Sequence, residues 1–135
     1  MGQKEWTKSL SVGVKLIDEQ HKTLIQQLNS ITAAIEVRQG EREIIKALGF
    51  LADYADLHFS TEEKYMRENS YPGLKDHLPK HAEFRSTLAQ LEQDLEEDGA
   101  TPALADSINA LLLNWLINHI RKVDREFGAY LKKKA

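Results

Sequence analysis

The 135-residue chain contains no cysteine. Disulfides, thiolate metal sites and a cysteine nucleophile are therefore all excluded. Only three prolines occur, so long helical segments meet few breakers. No apolar run is long enough to span a bilayer, which takes about 20 consecutive residues. The richest, residues 110–120, is interrupted by Asn114, Asn118 and His119. The opening residues, Met1 to Trp6, have no apolar stretch that could serve as a signal peptide. Trp6 also stands where a myristoylation motif wants Ser or Thr. The net charge is −3, far from the basic excess of a nucleic-acid binder. These absences lead us to expect a cytoplasmic protein with no nucleic-acid partner and no membrane span. The basic tail Lys132-Lys133-Lys134 fits the negative end of a terminal helix.

An apolar share of 41 % and a charged share of 29 % describe an ordinary globular chain with one core. Four segments carry helical periodicity. In the first, Leu24, Ile25, Leu28, Ile31 and Ile35 recur at the three-and-four spacing of one helix face, with Asp18 as its expected cap and Gly40 as its exit. The second carries Ile44, Ile45, Leu48, Leu51, Tyr54, Ala55 and Phe59 as its stripe and ends at the turn Tyr71-Pro72-Gly73. Pro79 restricts the third. A cap at Asp76 puts the proline in the first turn, where no bond is lost; an earlier start puts it inside the helix. Thr101-Pro102 opens the fourth as a cap followed by proline. The expected fold is all-α, an antiparallel up-down-up-down four-helix bundle in a single domain, 1–135. Its helices run over about 18–37, 41–69, 75–97 and 101–132, and residues 1–17 form an ordered N-terminal arm.

The five histidines are His21, His58, His77, His81 and His119. His58 and Glu62 are four apart, as are His77 and His81, so each pair projects from one helix face. His119 and Asp124 lie on the fourth segment, and His21 lies near the start of the first. Every helix thus supplies at least one imidazole, and in an up-down bundle all seven side chains fall toward one end. A lone buried histidine is more often a hydrogen-bonded core residue. Five of them converging with two carboxylates have no plausible structural role, so we read a metal site.

Imidazole suits zinc, copper, iron and nickel, and carboxylate adds hard-oxygen character. Seven side chains are too many for one tetrahedral zinc. Two octahedral ions offer twelve positions between them. Five imidazoles, two bridging carboxylates and one bridging oxygen leave a single position open, which is room for a small exogenous ligand. Ferritin-like di-iron sites use four carboxylates with two histidines. A shell of five neutral imidazoles and two carboxylates donates less charge, which favours carrying oxygen over activating it. His119 and Asp124 are five residues apart, about 140° around an ideal α-helix. The spacing therefore predicts a π-type turn near residues 121–124 or a site reached from both flanks of the helix.

These residues resemble the hemerythrins, in particular the single-domain bacteriohemerythrins. The resemblance covers nearly the whole chain. It rests on Trp6, Ser11-Val12-Gly13-Val14 and Ile17-Asp18-Glu19-Gln20-His21-Lys22-Thr23-Leu24, and on His58-Phe59-Ser60-Thr61-Glu62-Glu63. His77-Leu78-Pro79-Lys80-His81 and Trp115-Leu116-Ile117-Asn118-His119-Ile120, closing on Asp124, complete it. The resemblance implies two iron ions, bridged by Glu62, Asp124 and an oxo or hydroxo group. His77, His81 and His119 then serve the coordinatively saturated iron, and His21 and His58 the iron with the open position. Leu24, Phe59, Trp115, Leu116 and Ile120 match positions of the oxygen pocket, on the side of His21 and His58. The implied function is reversible binding of molecular oxygen, for storage or for delivery to an oxygen-consuming enzyme. Sensing of oxygen or nitric oxide, or peroxidase-like chemistry, is the alternative. The bundle leaves no room for an output domain, and no histidine remains for acid–base work once five are spent on metal. We therefore expect a carrier and not an enzyme.

Overall fold

The computed structural model describes residues 5–134; the first four residues, with the Met1-Gly2 motif, lie outside it. Four helices form the body: α1 over Lys15–Glu36, α2 over Glu41–Glu68, α3 over Leu74–Asp98, and α4 from Pro102 to Lys134. The last is composite. Its α-helical stretches Pro102–Ile108, Asn114–His119 and Arg125–Lys134 are separated by π-helical turns at Asn109–Leu113 and Ile120–Asp124. α1 packs on α2 and α4, and α3 packs on the same two. With short loops between successive helices, this is the antiparallel four-helix ring. Leu24, Leu28, Ile44, Leu48, Leu51, Ile108, Leu112 and Leu116 are fully shielded in its core.

The ends of the helices follow local chemistry. Thr101 caps α4 by accepting from the Leu104 backbone N–H at 3.1 Å, and Pro102 takes the first helical position. After α1 the left-handed residue is Arg38, at φ 58°, and Gln39 N–H closes on the Ala34 carbonyl at 3.0 Å. This is the Schellman ending usually served by glycine. Gly40 instead caps the start of α2.

One expectation is corrected, and of the two starts open to α3 the earlier is taken. α1 begins at Lys15, one turn ahead of Asp18, with Val14 as its cap. Asp18 is not the cap because its carboxylate is engaged with the arm, accepting from Ser11 Oγ at 2.6 Å and from Val12 N–H at 2.9 Å. α3 begins at Leu74, so Asp76 lies in its first turn and Pro79 is inside the helix, where its nitrogen cannot donate.

The arm is a short 3-10 turn at Lys8–Leu10, followed by a left-handed Gly13 at φ 84°. Leu10 and Val12 are buried. The Lys22 ammonium lies 4.5 Å from the Trp6 ring centre, a cation–π contact. The arm approaches α4 so closely at Gly128 that a Cβ there would fall on the Val12 carbonyl. At the same end, Tyr130 Oη donates to the Asn69 carbonyl at 2.8 Å and ties α4 to the α2–α3 turn.

Candidate metal centre

His21 enters from the second turn of α1, and His58 and Glu62 from the last third of α2. His77 and His81 come from the start of α3, and His119 and Asp124 from α4. Because the helices alternate in direction, these depths coincide. All seven side chains are buried, His119 being the most exposed at 5 %. Asp124 belongs to the same centre as His119 because residues Ile120–Asp124 form a π-turn. Such a turn takes in one residue more than an α-turn, so a spacing of five does the work of a spacing of four.

Every imidazole turns its Nε2 toward the two carboxylates. His21 Nε2 is 3.1 Å from both Glu62 Oε2 and Asp124 Oδ2. His58 Nε2 is 3.2 Å from Glu62 Oε2, and His81 Nε2 is 3.1 Å from Glu62 Oε1. His77 and His119 lie 3.0 Å and 3.2 Å from Asp124 Oδ1. The side chains form two ligand groups, Glu62–His77–His81–His119–Asp124 and His21–His58–Glu62–Asp124, each with its donor atoms within 4.8 Å of one another. The two groups share both carboxylates.

This donor set fits a pair of metal ions. Despite their short separations, His58 Nε2, His81 Nε2, Glu62 Oε1 and both Asp124 oxygens are buried without a hydrogen bond. Such orphaned atoms are costly unless something else satisfies them. Here these orphaned atoms all belong to the two ligand groups, where a metal ion in each would satisfy them. Without metal the cluster is a strongly coupled ion network. Burial opposes charge on His21 and His77, but the nearness of the Asp124 and Glu62 carboxylates outweighs it and lifts both to about 9. Burial dominates at His58 and lowers it. Burial and mutual repulsion would raise the carboxyls. The charge of His58, the hydrogen bond with His21 and the nearness of His77 nevertheless hold Glu62 well below its usual range. His119 and His21 do the same for Asp124.

The outer edges of two of the rings are also occupied. His81 Nδ1 meets Glu63 Oε2 at 2.8 Å, and His58 Nδ1 meets Gln20 Oε1 at 2.8 Å. Phe59 stacks on His81 with ring centres 4.0 Å apart and planes 18° from parallel. Leu24, Phe59, Leu116 and Ile120 are completely shielded from solvent. Trp115 is placed differently from the expected pocket side. It is half-buried and lies on His119 and Phe84, beside the three-histidine group, with its indole N–H donating to Glu83 at 3.1 Å. Sequence reasoning missed Gln20, Glu63 and Glu83 as partners. The available signal was adjacency: Gln20 precedes His21, and Glu63 follows Glu62.

Residues 12–131 match the family described as Hemerythrin, the hemerythrin HHE cation binding domain. The chain belongs to the hemerythrin family. It is 32 % identical over 129 residues to a bacteriohemerythrin of Methylococcus capsulatus, covering 93 % of this chain and 95 % of the relative. It is 28 % identical to a bacteriohemerythrin of Stenotrophomonas maltophilia, over 94 % of this chain and 80 % of the relative. The myohemerythrin of Theromyzon tessulatum is 24 % identical over 94 % of this chain and 92 % of its own. A crystal structure of wild-type hemerythrin superposes with a TM-score of 0.82 at 29 % identity, covering 95 % of this hemerythrin and 97 % of the other chain. Among the described residues no helix is long and apolar enough to cross a membrane.

Proposed function

We propose that this hemerythrin binds molecular oxygen reversibly at two iron ions. The observation that carries the reading is the pair of ligand groups sharing Glu62 and Asp124. In it, His77, His81 and His119 would hold one ion and His21 and His58 the other, with Glu62 and Asp124 common to both groups. Three histidines against two would leave room for a small ligand on the side of His21 and His58. The iron pair supplies the two electrons that oxygen takes up on binding and returns on release.

The chain's own residues make that exchange reversible by what they exclude. Leu24, Phe59, Leu116 and Ile120 carry no polar side-chain atom and are fully buried, so they offer neither a proton nor a seat for water. Five Nε2 atoms are committed to the carboxylate pair, and no histidine is left over to donate or accept a proton. This favours carriage over turnover. The reading extends to a cytoplasmic store, or a carrier that hands oxygen to an oxygen-consuming enzyme.

The test is metal analysis joined to spectroscopy. The protein as isolated should hold two iron ions per chain. The reduced protein should change its absorption spectrum in air and recover it under nitrogen. One zinc per chain, or a spectrum that changes in air and never returns, would refute the reading.

A further inference from the structure

The two ligand groups differ in what stands behind them. His81 has a carboxylate at its outer nitrogen, Glu63 Oε2 at 2.8 Å. His58, in the other group, has an amide oxygen, Gln20 Oε1, at the same distance. Both contacts are well shielded: the Glu63 side chain is 13 % exposed and Gln20 is 6 % exposed.

A carboxylate has no proton to give, so His81 Nδ1 must be the donor. That assigns the ring its tautomer and leaves the Nε2 lone pair free on the metal side. Gln20 Oε1 also accepts from its ring, His58, but as a neutral amide oxygen. A hydrogen bond to a charged acceptor is also roughly twice as strong as one to a neutral acceptor. By drawing on the Nδ1 proton, Glu63 pushes electron density through the ring to Nε2.

Helix geometry makes the arrangement possible. Adjacent residues of α2 project about 100° apart. Glu62 can therefore face the metal cavity while Glu63 reaches the far edge of a ring on α3. Phe59 lies over the His81 face at 4.0 Å and holds the ring plane independently of Glu63.

We propose that Glu63 is a positioning residue that makes His81 a stronger electron donor than His58. The three-histidine ion thereby becomes the tighter-held and more readily oxidised member of the pair, and Gln20 keeps the open position the weaker one. The inference rests on the two-ion reading of the site. It assigns to two residues outside the ligand set the electronic inequality of the two metal positions.

The experiment compares Glu63→Gln, Glu63→Asp and Gln20→Glu in the full chain, loaded with iron. Metal retention is read by chelator competition, the reduction potential by redox titration, and the two ferric sites by Mössbauer spectroscopy. Glu63→Gln should weaken retention about tenfold to a hundredfold, the usual effect of losing such a partner. It should also raise the reduction potential and alter the signal of one ferric site while the other keeps its own. Glu63→Asp should restore part of each change. Gln20→Glu should lower the potential, and that arm stands even if Glu63→Gln folds poorly. Unchanged potentials in both Glu63→Gln and Gln20→Glu would overturn the proposal, even with weakened retention, since loss of metal alone is what a structural role predicts. If the unmodified chain fails to hold two iron ions, the two-ion reading falls first, and that result is distinct.

Discussion

Trp115 lies flat on His119, with ring centres 4.6 Å apart and planes 10° from parallel. The indole therefore seals the outer face of a ligand on the three-histidine side. Trp115→Ala should keep both irons, because no ligand is touched, yet speed irreversible oxidation several-fold by opening a route for water. Removing a half-buried indole should also cost about 2–3 kcal/mol, below the range for a fully buried one. Decay of the oxygenated spectrum in air, with iron measured before and after, is the check. Full iron with an unmodified decay rate would rule out a shielding role.

Leu24→Ser tests the other flank. Leu24 is completely buried on α1, one turn from His21. A hydroxyl there provides a seat for water near the open position, and the smaller side chain leaves a void. We expect retained iron, faster oxidation in air and a stability loss of about 2–4 kcal/mol, as for a large-to-small core change. Chemical denaturation and the same decay assay separate the two effects.

The metal-free protein should have an unusual pH profile. His21 and His77 are raised from 6.5 to about 9, so their contribution is full below pH 6.5 and is lost as pH rises toward 9. Glu62 and Asp124 are lowered from 4.5 and 3.8, so theirs is present above those values and lost as pH falls below them. His58, lowered by burial, subtracts some stability below pH 6.5. Stability without metal should therefore peak between about pH 4.5 and 6.5. Metal binding needs deprotonated ligands, so the gain in Tm on loading should grow from pH 6 to 9. Thermal melts of both forms across that range decide it, and a gain that shrinks with pH would contradict the ion network described above.

Two backbone positions give opposite signs. Gly128→Ala drives a methyl group onto the Val12 carbonyl, so the arm must lift from α4. A loss of about 1–3 kcal/mol is expected, as for overpacking. Arg38 adopts a left-handed conformation that glycine takes without strain. Arg38→Gly should stabilise by a few tenths to about 1 kcal/mol. Denaturant midpoints measure both.

Much of this molecule is legible in its sequence because ligand spacing and helix period carry the same information. His58 with Glu62 and His77 with His81 define faces, and the five-residue step from His119 to Asp124 allows either a π-turn or a site reached from both flanks, of which the fold takes the π-turn. What is not legible depends on contacts between helices. The partnership of Glu63 with His81, or of Gln20 with His58, is set by the rotation of one helix against its neighbour. Asp18 reads as a cap in isolation and is captured by Ser11 and Val12 in the fold. Trp115 stacks on His119, in the three-histidine group, for the same reason.

The π-turn at Ile120–Asp124 also sets a rule for chain length. The extra residue is a spacer that keeps two functions of α4 in phase: delivering Asp124 to His119, and delivering Phe127 to its contact with Tyr71 and Gly128 to the arm. Deleting Lys122 could return the stretch to α-helical form and leave an aspartate four residues past His119, with the ligand still in reach. Beyond it, everything would stay aligned with the aspartate and be drawn closer along the axis. Replacing Asp124 in place while mending the turn would instead rotate Phe127 and Gly128 by about 100°. A one-residue deletion between His119 and Asp124 is thus tolerated where one between Asp124 and Phe127 is ruinous. A redesign that straightens α4 must move the aspartate, not merely smooth the helix.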